Sequence, residues 1–207
     1  MSPVYKGVKA GWIVEVARKN MARDLLLVID MQNVYGPGGA WECPGSLAAG
    51  EKIKSLIDAV SEDTDIIFTK FIASENPEGV WKNYNEENAE VNEDAYANEM
   101  MDVFKPYLGR YPVYQKSRYS SLTIPEVSLE AGKANRVIVT GVVAECCVLF
   151  TVMGLIDAGI PVIYLTDAVA GIDSTTESAT VTVLTGLDPL HVRCMTTEEY
   201  LEEKRKD

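Results

Sequence analysis

Histidine is almost missing from this chain of 207 residues: His191 stands alone. A single imidazole excludes the HExxH motif, two-histidine zinc sites and any centre built on several histidines. Basic residues are also scarce. Nineteen Lys and Arg against 31 Asp and Glu leave a net charge of −12, a field that repels phosphate backbones and anionic lipid. A small-molecule partner is therefore expected, and neither nucleic acid nor a membrane surface is. No uncharged apolar run approaches the roughly 20 residues that a bilayer crossing needs, the longest being bounded by Glu145 and Asp157. The apolar stretch Ala10 to Val14 is stopped by Glu15, too early for a secretory signal, so a cytoplasmic location is expected. The only four cysteines are Cys43, Cys146, Cys147 and Cys194. They form no CxxC pair, and adjacent Cys146 and Cys147 are poorly spaced for a disulfide, which fits a reducing compartment.

What is present suffices for one core, with 47% hydrophobic and 24% charged residues in a length typical of a single domain. Short β-rich apolar runs alternate with helical patterns, which predicts an α/β fold with a mostly parallel six-stranded sheet and helices on both faces. The expected strands are Leu25 to Ile29, Asp65 to Phe71, Tyr111 to Gln115, Arg136 to Thr140, Val162 to Leu165 and His191 to Met195. Helices are expected over Leu47 to Val60, opened by Ser46, then Thr123 to Leu129, Glu145 to Asp157 and Ser174 to Gly186. Between Glu75 and Asp102 nine acids accompany Lys82 alone, which reads as a solvated helical face. Residues 1–22 show no clear pattern and read as an extension, with Met21 an alternative start; residues 23–207 read as one domain.

In an open parallel sheet, ligands bind beyond the carboxyl ends of the strands. Asp30 ends the first expected strand, Lys116 the third, and Cys147 lies just past the fourth at the start of an apolar helix. A cysteine in a first helical turn meets unpaired N–H groups that favour thiolate. A lysine adds to this, and a carboxylate can take the thiol proton. Each residue alone is also compatible with a structural role, since buried cysteine is commonly inert packing.

Three segments sharpen the reading: Leu27-Val28-Ile29-Asp30-Met31-Gln32-Asn33, Lys116-Ser117-Arg118-Tyr119-Ser120-Ser121 and Thr140-Gly141-Val142-Val143-Ala144-Glu145-Cys146-Cys147-Val148. In this order they resemble the isochorismatase-like cysteine hydrolases, which include nicotinamidases and N-carbamoylsarcosine amidases. The similarity runs from about Arg23 to Tyr200. It implies a three-layer α/β fold and a catalytic triad of Asp30, Lys116 and Cys147. It also implies an oxyanion hole formed by the N–H groups of Val143 and Cys147, a cis peptide between Val142 and Val143, and a homo-oligomer, dimer or tetramer. Nicotinamidases of the family carry a metal-binding Asp-x-His motif after the second strand, where this chain has Phe71-Ile72-Ala73. No metal and no cofactor are expected. Isochorismatases proper cleave a vinyl ether and lack the nucleophilic cysteine, so the presence of Cys147 implies an amide-type bond. Val34 and Ala144 depart from residues frequent in relatives.

Tyr35, Trp41, Trp81, Tyr84 and Tyr119 flank the expected crevice and would either wall a substrate pocket or pack as ordinary core. Arg118 could grip a substrate carboxylate or form a structural salt bridge. Lys70 reads as a surface or ion-pairing residue. Gly36, Gly38 and Gly39 match neither GxGxxG nor a P-loop and read as a turn. Two alternatives to a hydrolase are a thiol redox protein using Cys146 and Cys147 and a non-catalytic binding module on the same fold.

Overall fold

A computed structural model describes residues 23–206, so the expected extension of residues 1–22 lies outside the described residues. The elements run β1 (Asp24–Ile29), α1 (Ser46–Val60), β2 (Thr64–Phe71), α2 (Trp81–Glu87), α3 (Ala89–Glu93), β3 (Val113–Lys116), α4 (Pro125–Ala131) and β4 (Val137–Val142). They continue α5 (Leu149–Asp157), β5 (Val162–Ala170), α6 (Ser174–Thr185), β6 (Val192–Met195) and α7 (Thr197–Lys204). All six strands pair in parallel, in the order β3-β2-β1-β4-β5-β6.

Every residue of β1 is buried, because both faces of the sheet are covered. That is why its sequence is continuously apolar and does not alternate. Leu26 and Val28 pack toward Ile53, Leu56, Ile57 and Val60 of α1 and Tyr200 of α7. Leu25, Leu27 and Ile29 pack toward Val127 of α4, Val152 and Leu155 of α5 and Leu184 of α6. A fully buried side chain of this size contributes about 1.5–3 kcal/mol, so the two apolar layers hold the sheet level between them. Strand order reverses at β1, whose neighbours are β2 and β4. A crevice opens where the chain turns opposite ways from adjacent strand ends.

Several elements differ from the sequence reading. Ser46 begins α1 rather than capping it, and Gly45 occupies the cap position. The acidic stretch is helical only over α2 and α3, neither of which buries a residue. β5 runs on to Ala170 because, past a register irregularity between Val139 and Gly141, it continues to pair with the extended end of β4. The apolar helix after β4 begins with a π-helical turn, Ala144–Val148, in which the Val148 N–H reaches the Val143 carbonyl. α7 was not foreseen, although Thr196 and Glu199 form a capping box legible as T-x-x-E. Gly36 to Gly39 do form a turn, closed by the Gly39 N–H on the Gly36 carbonyl at 3.0 Å.

Candidate active site

At the end of β1 the chain enters the left-handed region: Asp30 has φ 51°, rare outside glycine and tolerated best by Asp and Asn. Its N–H donates to the Thr69 carbonyl at 3.0 Å, while the Thr69 hydroxyl donates to Asp30 Oδ1 at 2.8 Å. β2 thereby holds both the backbone and the carboxylate. The other oxygen, Oδ2, faces Lys116 Nζ at 2.5 Å, with both side chains fully buried. Lys116 Nζ also donates to the Arg118 carbonyl at 3.1 Å and lies 5.7 Å from the centre of the Phe71 ring.

Cys147 completes the set. It is 3% exposed, and its thiol lies within the electrostatic reach of both Asp30 and Lys116. Its carbonyl accepts from the Thr151 hydroxyl at 2.7 Å. That hydroxyl in turn accepts from the Ser121 N–H at 2.9 Å, tying the π turn to the loop that follows Lys116. Gly141 has φ +111°, and a Cβ there would stand 2.1 Å from the Ile29 carbonyl oxygen. Only glycine lets β4 approach β1 this closely, one residue before Asp30. The Val142–Val143 peptide is cis.

The electrostatics correct one expectation. The segment bearing Cys147 is a π turn and not the first turn of an α-helix, and the thiol is not driven toward thiolate. Burial pushes the Cys147 thiol up and the Asp30 charge adds to this, with Lys116 offsetting only part. Burial acts to lower the Lys116 ammonium, but Asp30 and Cys147 outweigh it and hold the group above its ordinary value. The resting site thus sets a thiol that holds its proton tightly beside the Lys116–Asp30 pair, with Asp30 placed to receive that proton.

Rings adjoin this cluster in an unbroken chain: Tyr35–Trp41 at 5.8 Å, Trp41–Tyr84 at 6.3 Å, Tyr84–Trp81 at 5.2 Å, Trp81–Tyr119 at 5.0 Å and Tyr119–Phe150 at 5.3 Å. All five aromatics singled out in the sequence belong to it; Phe71 and Phe150 do as well and were missed. Burial first, then neighbouring Cys147 and Asp30, raise the Tyr35 phenol. Tyr84 is raised by burial, Tyr119 and Cys147, in that order. Arg118 forms no salt bridge among the described residues, and its guanidinium lies 5.2 Å from the Trp81 ring centre. Lys70 is half-buried at the penultimate position of β2. Cys146, half-exposed, packs against the layer opposite to that of Cys147. Thr69, Thr151 and Gly141 were not assigned roles from sequence. Gln32, inside the first quoted segment, clamps the end of β2 through the Phe71 N–H (2.7 Å) and carbonyl (3.0 Å). Among the described residues no group of three or more His, Cys, Asp or Glu side chains is arranged to hold a metal ion.

Cys147, Tyr35, Tyr84 and Tyr164 are all raised above ordinary values of 9.0 for Cys and 10.0 for Tyr. Groups bound more tightly to their protons in the folded state add stability that is complete below the unfolded values and vanishes as pH climbs through the folded ones. The thermal midpoint should therefore hold level to about pH 9 and fall above it. A midpoint unchanged to pH 11 in a calorimetric series would contradict this assignment of buried neutral acids.

Comparison with known proteins adds the following. The family model for the isochorismatase domain matches residues 24–199. No curated protein matches the chain. Among solved structures, a cysteine hydrolase from Pseudomonas syringae pv. phaseolicola superposes with a TM-score of 0.74 at 20% identity, covering 89% of this chain and 93% of that one. An isochorismatase-like hydrolase from Alkaliphilus metalliredigens gives 0.70 at 19% identity, covering 88% and 99%. The MAR1 ribonuclease of Caenorhabditis elegans gives 0.63 at 19% identity, covering 87% and 80%. At these identities the structural likeness speaks for the fold.

Proposed function

The chain belongs to the isochorismatase domain family, and on that premise we propose that it is a cysteine-dependent amidohydrolase cleaving a small carboxamide-like C–N bond without a metal. One observation carries this reading: Asp30 and Lys116 at the ends of β1 and β3 and Cys147 in the π turn after β4 come together, buried, where the strand order reverses.

Asp30 takes the proton of the Cys147 thiol as the sulfur attacks the carbonyl carbon and the carbonyl π pair moves onto oxygen. The N–H groups of Val143 and Cys147 receive that oxyanion. On collapse the C–N bond breaks and the proton on Asp30 passes to the leaving nitrogen, giving an amine or ammonia and a thioester on Cys147. Water then gives a proton to Asp30 and attacks the thioester carbon. The second collapse expels the sulfur, which recovers the proton. The net change is amide plus water to acid plus amine. Lys116 stays an ammonium throughout, holding the carboxylate and the sulfur in register. Its buried pairing with Asp30 serves position more than stability, because desolvation offsets much of the Coulombic gain.

Four unpaired cysteines among the described residues support a reducing, cytoplasmic setting. Exposed Val80, beside Trp81, and exposed Phe150, in ring contact with Tyr119, support self-association as a dimer or tetramer. The net charge of −12 supports a small-molecule substrate over RNA. Release of ammonia or amine across a panel of small carboxamides tests the reading, with rapid-quench mass spectrometry of the peptide containing Cys147. The expected result is turnover with a hydroxylamine-labile acyl adduct on that peptide. Turnover that never labels Cys147 would defeat the thioester route.

A further inference from the structure

Between Glu75 and Asp102 the sequence places nine acids, and the reaction uses none of them. Three of these acids line a cavity of about 600 Å³ bounded by the 33–40 loop, the start of α1, α3 and residues 94–103. Its floor is apolar. Val34 and Met101 are buried there, and Val91 and Val103 pack against the core from its sides. The lip is apolar too, with Leu47 54% and Tyr96 69% exposed. Its walls are tied to each other: Asn33 Nδ2 donates to the Tyr96 carbonyl at 3.0 Å, and the Val34 N–H donates to the Ala97 carbonyl at 3.0 Å.

The charge around this groove is of one sign. Glu90, Asp94 and Asp102 supply carboxylates, and no Lys, Arg or His lines it. Asp102 pairs with Lys105 at 2.8 Å, whereas neither Glu90 nor Asp94 meets a cation among the described residues, and Asp94 Oδ1 only accepts from the Ala97 N–H at 3.1 Å. α3, which carries Glu90, buries none of its residues. An apolar trough rimmed by unpaired carboxylates is the complement of a chain segment that is both basic and apolar.

This chain contains such a segment. Four of its 19 basic residues but only one of its 31 acids, Glu15, fall within residues 1–22, so that stretch carries +3 and the rest of the chain −15. Lys6 and Lys9 stand there among Val4, Tyr5, Val8 and Trp12. The length suffices as well. Arg23 leads into β1 at one end of the sheet and the groove lies past the other end, about 20 Å away along the six residues of the strand. Residues 13–22 can span roughly 33 Å when extended.

We propose that residues 4–12 dock in this groove of their own chain, Lys6 and Lys9 facing Glu90, Asp94 and Asp102, with Tyr5, Val8 and Trp12 covering the apolar floor. The groove shares a wall with the candidate site: Tyr35, between lining residues Val34 and Gly36, belongs to the aromatic chain beside the triad. The docked segment therefore braces, from outside, the loop that follows Asp30. This interaction is independent of the reaction assigned to the site.

Carbodiimide coupling of the full-length protein, which joins a lysine directly to a carboxylate beside it, tests the placement by peptide mapping. Lys6 and Lys9 should link chiefly to Glu90, Asp94 and Asp102. In a mixture of isotope-labelled and unlabelled protein the links should stay within one chain and persist on dilution. Hydrogen exchange gives a second reading: at low salt, amides of residues 4–12 should exchange about fivefold or more slowly than in Lys6→Glu/Lys9→Glu protein. The difference should shrink near 1 M salt, where the screening length is about 3 Å. Glu90→Lys/Asp94→Lys should abolish both links and protection, and combining it with Lys6→Glu/Lys9→Glu should restore the protection. Circular dichroism checks that each variant is folded. Links that are absent, that scatter over the acids, or that go instead to Glu51 or Glu198 in the groove between α1 and α7 overturn the proposal. So do links found only between labelled and unlabelled copies, which would seat a second molecule there, and exchange in residues 4–12 that the charge reversals leave unchanged.

Discussion

Cys147→Ala should lower amide turnover by about four orders of magnitude or more while leaving the fold intact, whereas Cys146→Ala should keep turnover within a few-fold of wild type. The two thiols are neighbours in sequence but not in environment. Cys147 lies in the layer with Ile29, Ala144 and Val148 and within the electrostatic reach of Asp30 and Lys116. Cys146 packs on the other layer, and its thiol is raised by burial and by Glu145, with Lys116 giving only a partial offset. Losing the Cys146 sulfur removes partly buried apolar volume, at about 1 kcal/mol. Asp30→Asn should match Cys147→Ala in activity, because the amide cannot accept the thiol proton and three groups acting as a unit lose nearly everything with any one. Lys116→Ala should do the same and also destabilise by about 3–5 kcal/mol, since it strands a buried carboxylate. Full turnover by Cys147→Ala on an amide that the wild type cleaves would remove the nucleophile and the mechanism with it.

Gly141→Ala should be among the most destabilising single-methyl additions available in this chain, by about 3 kcal/mol or more. Two costs combine. At φ +111° an L-residue is strained, and the new Cβ would stand 2.1 Å from the Ile29 oxygen and 2.7 Å from the Ile29 nitrogen. Neither backbone atom can step aside without separating β1 from β4, which pair at Ile29 and Gly141. For a domain of this size the thermal midpoint should fall by roughly 10 °C. Activity should fall further than the loss of folded protein explains, because Ile29 immediately precedes Asp30. Gly79→Ala is the matched control: φ there is +56°, but nothing lies within 4 Å of the added carbon, so only about 1 kcal/mol of backbone strain is expected. Urea melts of the two variants separate clash from strain. Equal stabilities would show that the β1–β4 contact yields more readily than its geometry indicates.

The parallel α/β architecture was legible in the sequence because buried strands of a doubly covered sheet must be continuously apolar. Runs such as Leu25 to Ile29 have no other economical use. The order of the strand ends made Asp30, Lys116 and Cys147 readable as candidates, and the three quoted segments tied them to a family. Element boundaries were weaker. β5 continues to Ala170 only because β4, past its irregularity, still offers a partner. α7 docks through the Asp167 carboxylate, which accepts from the Thr197 N–H and hydroxyl at 2.7 Å each.

Residue types and their periodicity by themselves determined which segments are strands, that helices cover both faces, and which polar residues stand at strand ends, since these follow from local burial and chain order. Only the tertiary structure decided the protonation of the nucleophile and the company it keeps. The thiol is pushed up because burial and Asp30 outweigh Lys116, a balance of distances between residues 30, 116 and 147. Thr69 and Thr151 likewise acquire meaning only from the groups they contact in the folded chain. Desolvation and charge pairing depend on separation in space, and separation in space between distant segments is set when the sheet closes.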